Sequence, residues 1–429
     1  MSQKNVFVVG LDDANRRTLQ DIGGAVNYRF HGLLEAEDVL EGDFPMAELL
    51  DRARGQLESF DGSIDAIVGY WDFPVSSIVP ILCREYGLPG APLEAVLACE
   101  HKYWSRLEQQ KVIPDAIPGF GLVSDEDPRL PEGLSYPVWL KPVKSFSSEL
   151  AFKADDGESF AAAVREITAG ISRVGEPFEY VMGQAELPRE IEEIGGTAIL
   201  VEEALTGQQA ATEGYVYQGE VVLNGALDSL NYPGTSSFQR HQYPSQLPQS
   251  VVDRMREVSE RVVRQVRLDN CTFSIEFFCD PDTGAVHLLE INARHSQSHA
   301  ELFEYVDGLP NHHCMVSIGV GEDPTLPMRQ GPYAIAAKWY HRAYEDGVVK
   351  RAPTADELEE LYAREPGVVV DVQAHAGTRL SDMDAQDSYS YELAYVYVGA
   401  DSEDELVEKY QRVVESLPFE ISGRQEGVA

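Results

Sequence analysis

Hydrophobic and polar residues alternate along two short stretches near position 280. Residues 273–278 and 286–291 are apolar, alternating runs, which are typical of strands. The segment between them, residues 280–284, reads DPDTG and is rich in turn formers. The pattern therefore predicts a β-hairpin.

Each predicted strand carries one acid, Glu276 on the first and Glu290 on the second. Antiparallel pairing can make them neighbours on one face, with Asn292 on that same face. Two adjacent carboxylates repel, so we expect a cation between them. Two carboxylates and an amide form an all-oxygen set that suits magnesium, and Arg294 follows as a partner for a phosphate or carboxylate. The alternative, a hairpin with two solvent-facing acids, is disfavoured because acids are rare at strand centres.

Upstream, the pattern predicts a small α/β unit from a strand at 6–10, a helix at 13–21 and a strand at 64–70. The turn after the first strand lacks G-x-G-x-x-G, so a dinucleotide fingerprint is absent. Further on, an apolar strand at 136–142 ends in Lys141, and a lysine at a buried strand end needs an anion.

The remaining elements follow from periodicity and turn chemistry. Helices are predicted at 155–170 and 251–267, a hairpin at 213–228, and an exposed irregular connection at 183–196. The last hundred residues predict strands at 332–339, 368–374 and 392–398. They also predict two helices opened by capping boxes, at Thr354 and Ser402.

The charge composition limits the classes of molecule that the chain is expected to bind. The chain has 72 acidic and 34 basic residues, a formal net charge of −38, which argues against nucleic acid or an anionic membrane as partner. The acid excess is compatible with a salt-adapted source. An anionic ligand therefore needs the few lysines gathered locally.

Five scattered cysteines (Cys83, Cys99, Cys271, Cys279 and Cys314) form no C-x-x-C pair, which favours thiols in a reducing cytoplasm. The polar start MSQKN leads straight into a strand, so we expect no signal peptide. No apolar run approaches the length that a bilayer requires. A zinc site at His295 and His299 lacks a matching third ligand.

The hairpin motif, Glu276 followed by Glu290-Ile291-Asn292-Ala293-Arg294, resembles the magnesium and phosphate site of the ATP-grasp superfamily. It is most similar to the branch that contains the biotin carboxylases and the carboxylate–amine ligases. L-amino acid ligases belong to the latter group. Three upstream stretches, at 99–106, 136–142 and 198–207, resemble further elements of that family and occur in the family order.

The resemblance implies an α/β fold with α+β elements. We expect an N-terminal pre-ATP-grasp domain at 1–95, an ATP-grasp core at 96–325 with a lid at about 136–205, and a small C-terminal α/β domain at 326–429.

The resemblance also implies site roles. Lys102 and Lys141 would contact nucleotide phosphates, Glu202, Glu203 and Leu205 would meet ribose and adenine, and His241 would lie near the triphosphate. The lid loop departs from the family pattern, because serines, including Ser147 and Ser148, stand where relatives have glycines. The metal ligands would be Glu276, Glu290 and Asn292.

The expected activity is ATP-dependent joining of a carboxylate, an amino acid or small organic acid, to an amine through an acyl phosphate. Lys141 and Arg294 would be catalytic, and Asp72, Arg294, Ser296 and His299 would contact substrate. The cofactors would be ATP and Mg²⁺, with Mn²⁺ as a substitute, and dimers are common in the branch. Three alternatives remain open: biotin-carboxylase-like chemistry, a purine-pathway ligation, and ATP binding without turnover.

Overall fold

The computed structural model describes residues 3–145, 149–235, 237–383 and 390–422. In chain order the strands are β1 (Lys4–Val9), β2 (Tyr28–Leu33), β3 (Ala66–Val68), β4 (Phe120–Val123), β5 (Val138–Pro142), β6 (Phe152–Ala154), β7 (Ile199–Glu203), β8 (Gln208–Tyr217), β9 (Glu220–Asn231), β10 (Phe238–Tyr243), β11 (Cys271–Cys279), β12 (Val286–Asn292), β13 (Ile335–Ala343), β14 (Val348–Arg351), β15 (Val368–Val372), β16 (Tyr391–Ala400) and β17 (Glu420–Ser422).

The helices are α1 (Asp13–Thr18), α2 (Ala36–Leu40), α3 (Met46–Glu58), α4 (Val75–Tyr86), α5 (Leu93–Glu100), α6 (Lys102–Val112), α7 (Gly157–Gly170), α8 (Ser172–Met182), α9 (Arg189–Ile194), α10 (Gln249–Val266), α11 (Ala300–Asp307), α12 (His312–Gly319), α13 (Ala355–Arg364) and α14 (Glu403–Ser416). No helix within the described ranges combines the length and apolarity needed to cross a membrane.

The chain divides into two compact units. Unit 1 comprises residues 1–224, 247–297 and 311–326, and unit 2 comprises residues 225–246, 298–310 and 327–429. The domain boundaries expected from the sequence stay a prediction.

The N-terminal sheet of unit 1 is parallel, with strand order β2-β1-β3. Its centre is apolar: Val6 and Val8 are fully buried. The predicted small α/β unit is therefore present. Its first helix was expected at 13–21 and is shorter, ending at Thr18.

A four-stranded antiparallel sheet with the order β4-β7-β5-β6 follows in the same unit. It packs on α7 through buried side chains such as Val138, Leu140 and Phe160. The segment 183–196 was expected to be irregular, but Arg189–Ile194 forms α9. The segment is mostly exposed, as expected, but the expectation of irregular structure was wrong for Arg189–Ile194, because a helical turn lets Ile191 be buried.

The predicted hairpins are confirmed in unit 1. Strands β8 and β9 are joined by Gln218 and Gly219, whose φ angles of 52° and 82° suit a two-residue turn. Strand β11 pairs antiparallel with β8 on one side and β12 on the other. Helix α10 buries Met255, Val258 and Val262, as its apolar spacing predicts.

Unit 2 contains the second part of β9 followed in order by β10, β13, β16 and β15. One face of these strands packs with α13 and α14 around Trp339, Val370 and Val396. The capping box at Thr354 is complete. The one at Ser402 is not, because the carboxylate of Glu405 accepts from the N–H of Asp401 instead.

Candidate active site

The β11–β12 hairpin brings the two predicted acids together. Glu276 and Glu290 are directly opposite partners across the antiparallel pair, and Asn292 lies opposite Ser274. The side-chain amide of Asn292 donates to Oε1 of Glu276 over 3.2 Å. A register shift after Glu276 leaves one extra residue on β12, and such bulges often re-aim side chains at functional sites.

The two carboxylates have opposite pKa shifts. Burial and then the neighbouring Glu290 raise the pKa of Glu276. Burial also acts to raise the pKa of Glu290, but Lys102 and Lys141 outweigh it and hold that pKa low. Negative charge is therefore concentrated at the hairpin and only partly neutralised by the protein.

Two lysines approach this pair from different elements. Lys102 begins α6 and forms an ion pair with Glu290, while Lys141 near the end of β5 places Nζ 2.5 Å from Oε2 of Glu202. Burial lowers the pKa of Lys141 even though Glu202 opposes that shift. The side chains of Lys102, Lys141, Glu202 and Glu290 line a cavity of about 10 Å³, which is about the volume that one water molecule needs.

Glu202 is bound to protein cations on both oxygens, to Arg106 on one side and Lys141 on the other. Burial acts to raise its pKa, but the two cations outweigh burial and lower the pKa to about 2. Arg106 also donates to the carbonyls of Leu288 and Leu289 over 3.1 and 2.8 Å. The structure therefore assigns Arg106 to holding β12 against α6.

Glu203 points the other way, as successive strand residues do, and it is exposed. Its Oε2 accepts from the N–H of Gly119 over 3.0 Å. Leu205 lies beyond the end of β7 and is partly exposed. Both residues can be reached by a ligand.

Arg294 binds Asp72 with two hydrogen bonds. Its Nε and Nη2 donate to Oδ1 and Oδ2 over 2.9 and 2.7 Å, and Nη1 donates to the carbonyl of His295. Burial acts to raise the pKa of Asp72, but Arg294 and the nearby Lys144 and Lys102 outweigh it and lower that pKa. The predicted substrate residue Asp72 therefore contacts the predicted catalytic arginine.

Ser296 is held by a residue that sequence reasoning missed. Its N–H donates to Oε1 of Glu213 over 3.1 Å, and the amide of Asn311 donates to Oε2 over 2.8 Å. Glu213 is fully buried in β8. A carboxylate in an apolar strand was the available signal, the same signal that identified Glu276.

A second missed pair consists of Lys144 and Glu100, joined over 3.0 Å and both buried. Lys144 also lies over the rings of Phe73 and Phe178. The predicted lid residues Ser147 and Ser148 lie outside the described residues.

His241 and His299 belong to unit 2, where their rings contact each other with centroids 4.9 Å apart. His295 is in unit 1, hydrogen-bonded to Thr272 and His312. Across the described ranges, no three His, Cys, Asp or Glu side chains form a metal-binding group. All five cysteines are thiols.

Comparison with known proteins identifies the fold around these residues. Residues 134–300 match the family model of the ATP-grasp domain. The chain carries an ATP-grasp domain. The matched range includes Lys141, Glu202, Glu276, Glu290 and Arg294, so the ATP-grasp domain predicted from the hairpin motif is confirmed for residues 134–300.

The chain is similar to a D-alanine–D-alanine ligase of Bifidobacterium longum subsp. infantis, with 26% identity over 249 residues, 54% of this chain. The chain spans 60% of that relative's length. A solved L-amino acid ligase from Bacillus licheniformis superposes with a TM-score of 0.74 at 16% identity, covering 99% of this chain and 100% of that one. A biotin carboxylase from Campylobacter jejuni in complex with β,γ-ATP gives a TM-score of 0.68 at 13% identity, covering 97% and 92%. These structural matches support the predicted fold class.

Proposed function

We propose that this ATP-grasp chain is an ATP- and Mg²⁺-dependent ligase that joins a carboxylate to an amine and releases ADP and phosphate. The observation that carries the proposal is the direct pairing of Glu276 with Glu290, flanked by Lys102, Lys141 and Arg294. Phosphoryl transfer requires positioning and neutralisation of charge, and this arrangement supplies groups for both. D-alanine–D-alanine ligase and L-amino acid ligase among the similar proteins support the same class.

The donor set fits a hard divalent cation. Glu276 and Glu290 offer carboxylate oxygens, Asn292 offers an amide oxygen, and the raised pKa of Glu276, caused by burial and Glu290, marks unneutralised charge. Mg²⁺ held there would neutralise phosphate charge during transfer. Mn²⁺ has the same ligand preference.

We assign Lys102 and Lys141 to the ATP phosphates. Both pair with glutamates, and because each ammonium has three N–H donors, it would bind a phosphate oxygen beside its carboxylate partner. Glu203 and Leu205 are accessible at the end of β7, which suits contact with ribose and adenine. Glu202 then acts through Lys141 as a positioning residue.

The proposed reaction has two steps. An oxygen of the substrate carboxylate attacks the γ-phosphorus, the bond to the β-phosphate oxygen breaks, and ADP leaves. The amine then attacks the acyl carbon, loses a proton, and displaces phosphate. Arg294, fixed by Asp72, would hold the anionic intermediate, and Ser296 would contact the same substrate.

A purified chain tests the proposal through release of ADP and phosphate with Mg-ATP, measured against amino acids and small acids, singly and in pairs. Mass spectrometry would identify the amide. Glu290→Ala should abolish release, whereas Glu260→Gln, an exposed acid on α10, should not. Bicarbonate belongs in the panel because of the structural likeness to biotin carboxylase.

Release that requires one acid and one amine supports the ligase. Release that requires bicarbonate would instead favour carboxylation. ATP binding without release under any pair contradicts both.

A further inference from the structure

The strands of unit 2 have two very different faces. The face toward α13 and α14 is apolar, with Ala337, Trp339 and Val396 in its core. The opposite face packs against α11 and carries His241, Lys338, Tyr340, Tyr395 and Tyr397; we name these five residues the polar face. Register places Lys338 opposite both His241 and Tyr397, and Tyr340 opposite Tyr395.

Lys338 is the unusual member of the polar face. It is 6% exposed, and its Nζ lies 3.9 Å from the ring centroid of Tyr395, 5.0 Å from that of Tyr340 and 5.7 Å from that of Tyr397. Aromatic faces stabilise a cation but do not accept its N–H groups as an oxygen does. In the described parts of the chain, Lys338 has no hydrogen bond or ion pair to an oxygen. Its donors are therefore available to an anion.

Glu301 on α11 is the opposite case. Its Oε2 is buried and has no hydrogen-bond partner among the described residues. Burial raises its pKa, and the nearby Lys338 only partly offsets this effect. A buried carboxylate oxygen without a donor is costly, so it calls for a cationic or N–H-bearing ligand.

These two charges influence each other electrostatically without forming an ion pair within the described ranges. The other titratable groups that act on them are Asp371, which is exposed, Glu392, which is already bonded to Arg342 and Tyr395, and His299, whose ring contacts His241. An anion alone would satisfy Lys338 and leave Glu301 unpaired, while a cation alone would do the reverse. A ligand that carries both charges on adjacent atoms satisfies both.

We propose that the polar face binds the zwitterionic head group of a free α-amino acid, with Lys338 taking its carboxylate and Glu301 its ammonium. This inference deepens the proposed function, on which it rests for the use of the amino acid as a substrate. The tyrosine rings hold the Lys338 side chain in place, so that little side-chain freedom is lost on binding.

The test is isothermal titration calorimetry of the full chain, without ATP, with each proteinogenic amino acid in its L and D forms. For every amino acid that binds, the deaminated acid and the decarboxylated amine are titrated too. Lys338→Met and Glu301→Gln should each weaken binding of the amino acid about tenfold to hundredfold, the loss expected for one charge-assisted hydrogen bond.

The analogues assign each partner. Lys338→Met should weaken the acid analogue and leave the amine analogue unchanged, and Glu301→Gln should do the opposite. The matched controls Lys350→Met and Glu359→Gln alter exposed residues of unit 2 and should bind like the wild type. Circular dichroism checks the fold. If Lys338→Met does not fold, Glu301→Gln carries the test alone, with Lys338→Arg expected to retain binding.

Absence of binding by every amino acid overturns the inference, as does wild-type affinity in both variants. Amino acid binding with the predicted pattern but without ADP formation would refute the proposed ligase and leave this site standing. Ligation that continues with unchanged KM in both variants would refute the site alone.

Discussion

Arg294 and Asp72 are 222 positions apart in the sequence and form a two-fold hydrogen-bonded ion pair, with distances of 2.9 and 2.7 Å. The pair fixes the orientation of a guanidinium at the end of the β11–β12 hairpin. Because a planar guanidinium recognises carboxylate and phosphate by direction as well as charge, its orientation matters for binding.

Asp72→Asn keeps the shape of this contact and removes its charge. We expect kcat/KM of the proposed ligase to fall about tenfold to hundredfold, because Arg294 loses a charge-assisted hydrogen bond. The free energy of unfolding should fall by about 1–3 kcal/mol, less than for a fully buried pair, because the Asp72 side chain is 34% exposed. Steady-state kinetics and urea unfolding measure both.

Asp21→Asn, an exposed change in the same unit, is the control and should alter neither quantity. Wild-type kinetics in Asp72→Asn would remove Asp72 from the positioning of Arg294.

The contrast between local and distant contacts explains what the sequence could predict. Glu276 and Glu290 lie 14 positions apart on one hairpin, so strand periodicity and turn chemistry alone predict that they meet. Lys102 and Lys141 could be placed only through family resemblance, because periodicity carries no information on which distant strand end faces which helix.

No sequence pattern revealed how the remaining site residues pair, although the acid in an apolar strand marked Glu213 as a candidate. Asp72 with Arg294, Ser296 with Glu213, and Lys144 with Glu100 are tertiary contacts between separate elements. His241 was expected near the triphosphate; in the structure its ring contacts those of Phe238, His299 and Tyr340 within unit 2. Its role toward ATP stays a prediction.

Glu276→Gln should stabilise the protein when no metal is present. Like charges directly opposite on neighbouring strands repel, so removing one should raise the free energy of unfolding by up to about 1 kcal/mol. Glutamine keeps the oxygen that accepts from Asn292. The same change should abolish the rise in Tm that Mg-ATP produces through binding to the native state.

Thermal unfolding with and without Mg-ATP measures both effects, and Glu260→Gln is the control. A lower Tm without metal, together with an intact response to Mg-ATP, would contradict the assignment of Glu276 as a metal ligand.

Glu202 should make stability depend on acid pH. Its folded pKa of about 2 lies below the ordinary value of 4.5, so its contribution is present above about pH 4.5 and is lost as the pH falls toward 2. The shift corresponds to about 3 kcal/mol. Glu202→Gln should have a lower free energy of unfolding than the wild type at pH 6. Between pH 6 and pH 2 its free energy of unfolding should fall by about 3 kcal/mol less than that of the wild type.

Guanidinium unfolding at several pH values measures this difference, and Glu132→Gln, an exposed acid, should follow the wild type. Parallel curves for wild type and Glu202→Gln would show that the ion pairs with Arg106 and Lys141 do not persist in solution.

His101 should remain neutral well below the pH at which an exposed histidine is protonated. Its Nδ1 accepts from the N–H of Trp104 at the start of α6, so the proton must sit on Nε2, which donates to the carbonyl of Gly195 over 3.0 Å. Burial lowers its pKa to about 4. A proton on Nδ1 would face the Trp104 N–H, so the charged form loses the helix cap as well as its hydration.

This histidine therefore stabilises the fold fully above about pH 6.5, and its contribution is lost as the pH falls from there toward 4. Nitrogen-15 NMR at about pH 5.5 should show His101 as the neutral Nε2–H tautomer. His101→Asn offers an oxygen to Trp104 and an amide N–H to Gly195 without titrating, so its stability should change less across this window than that of the wild type. His375→Asn, at an exposed position, is the control. A protonated His101 at that pH would contradict the buried tautomer, because both of its hydrogen bonds require the neutral ring.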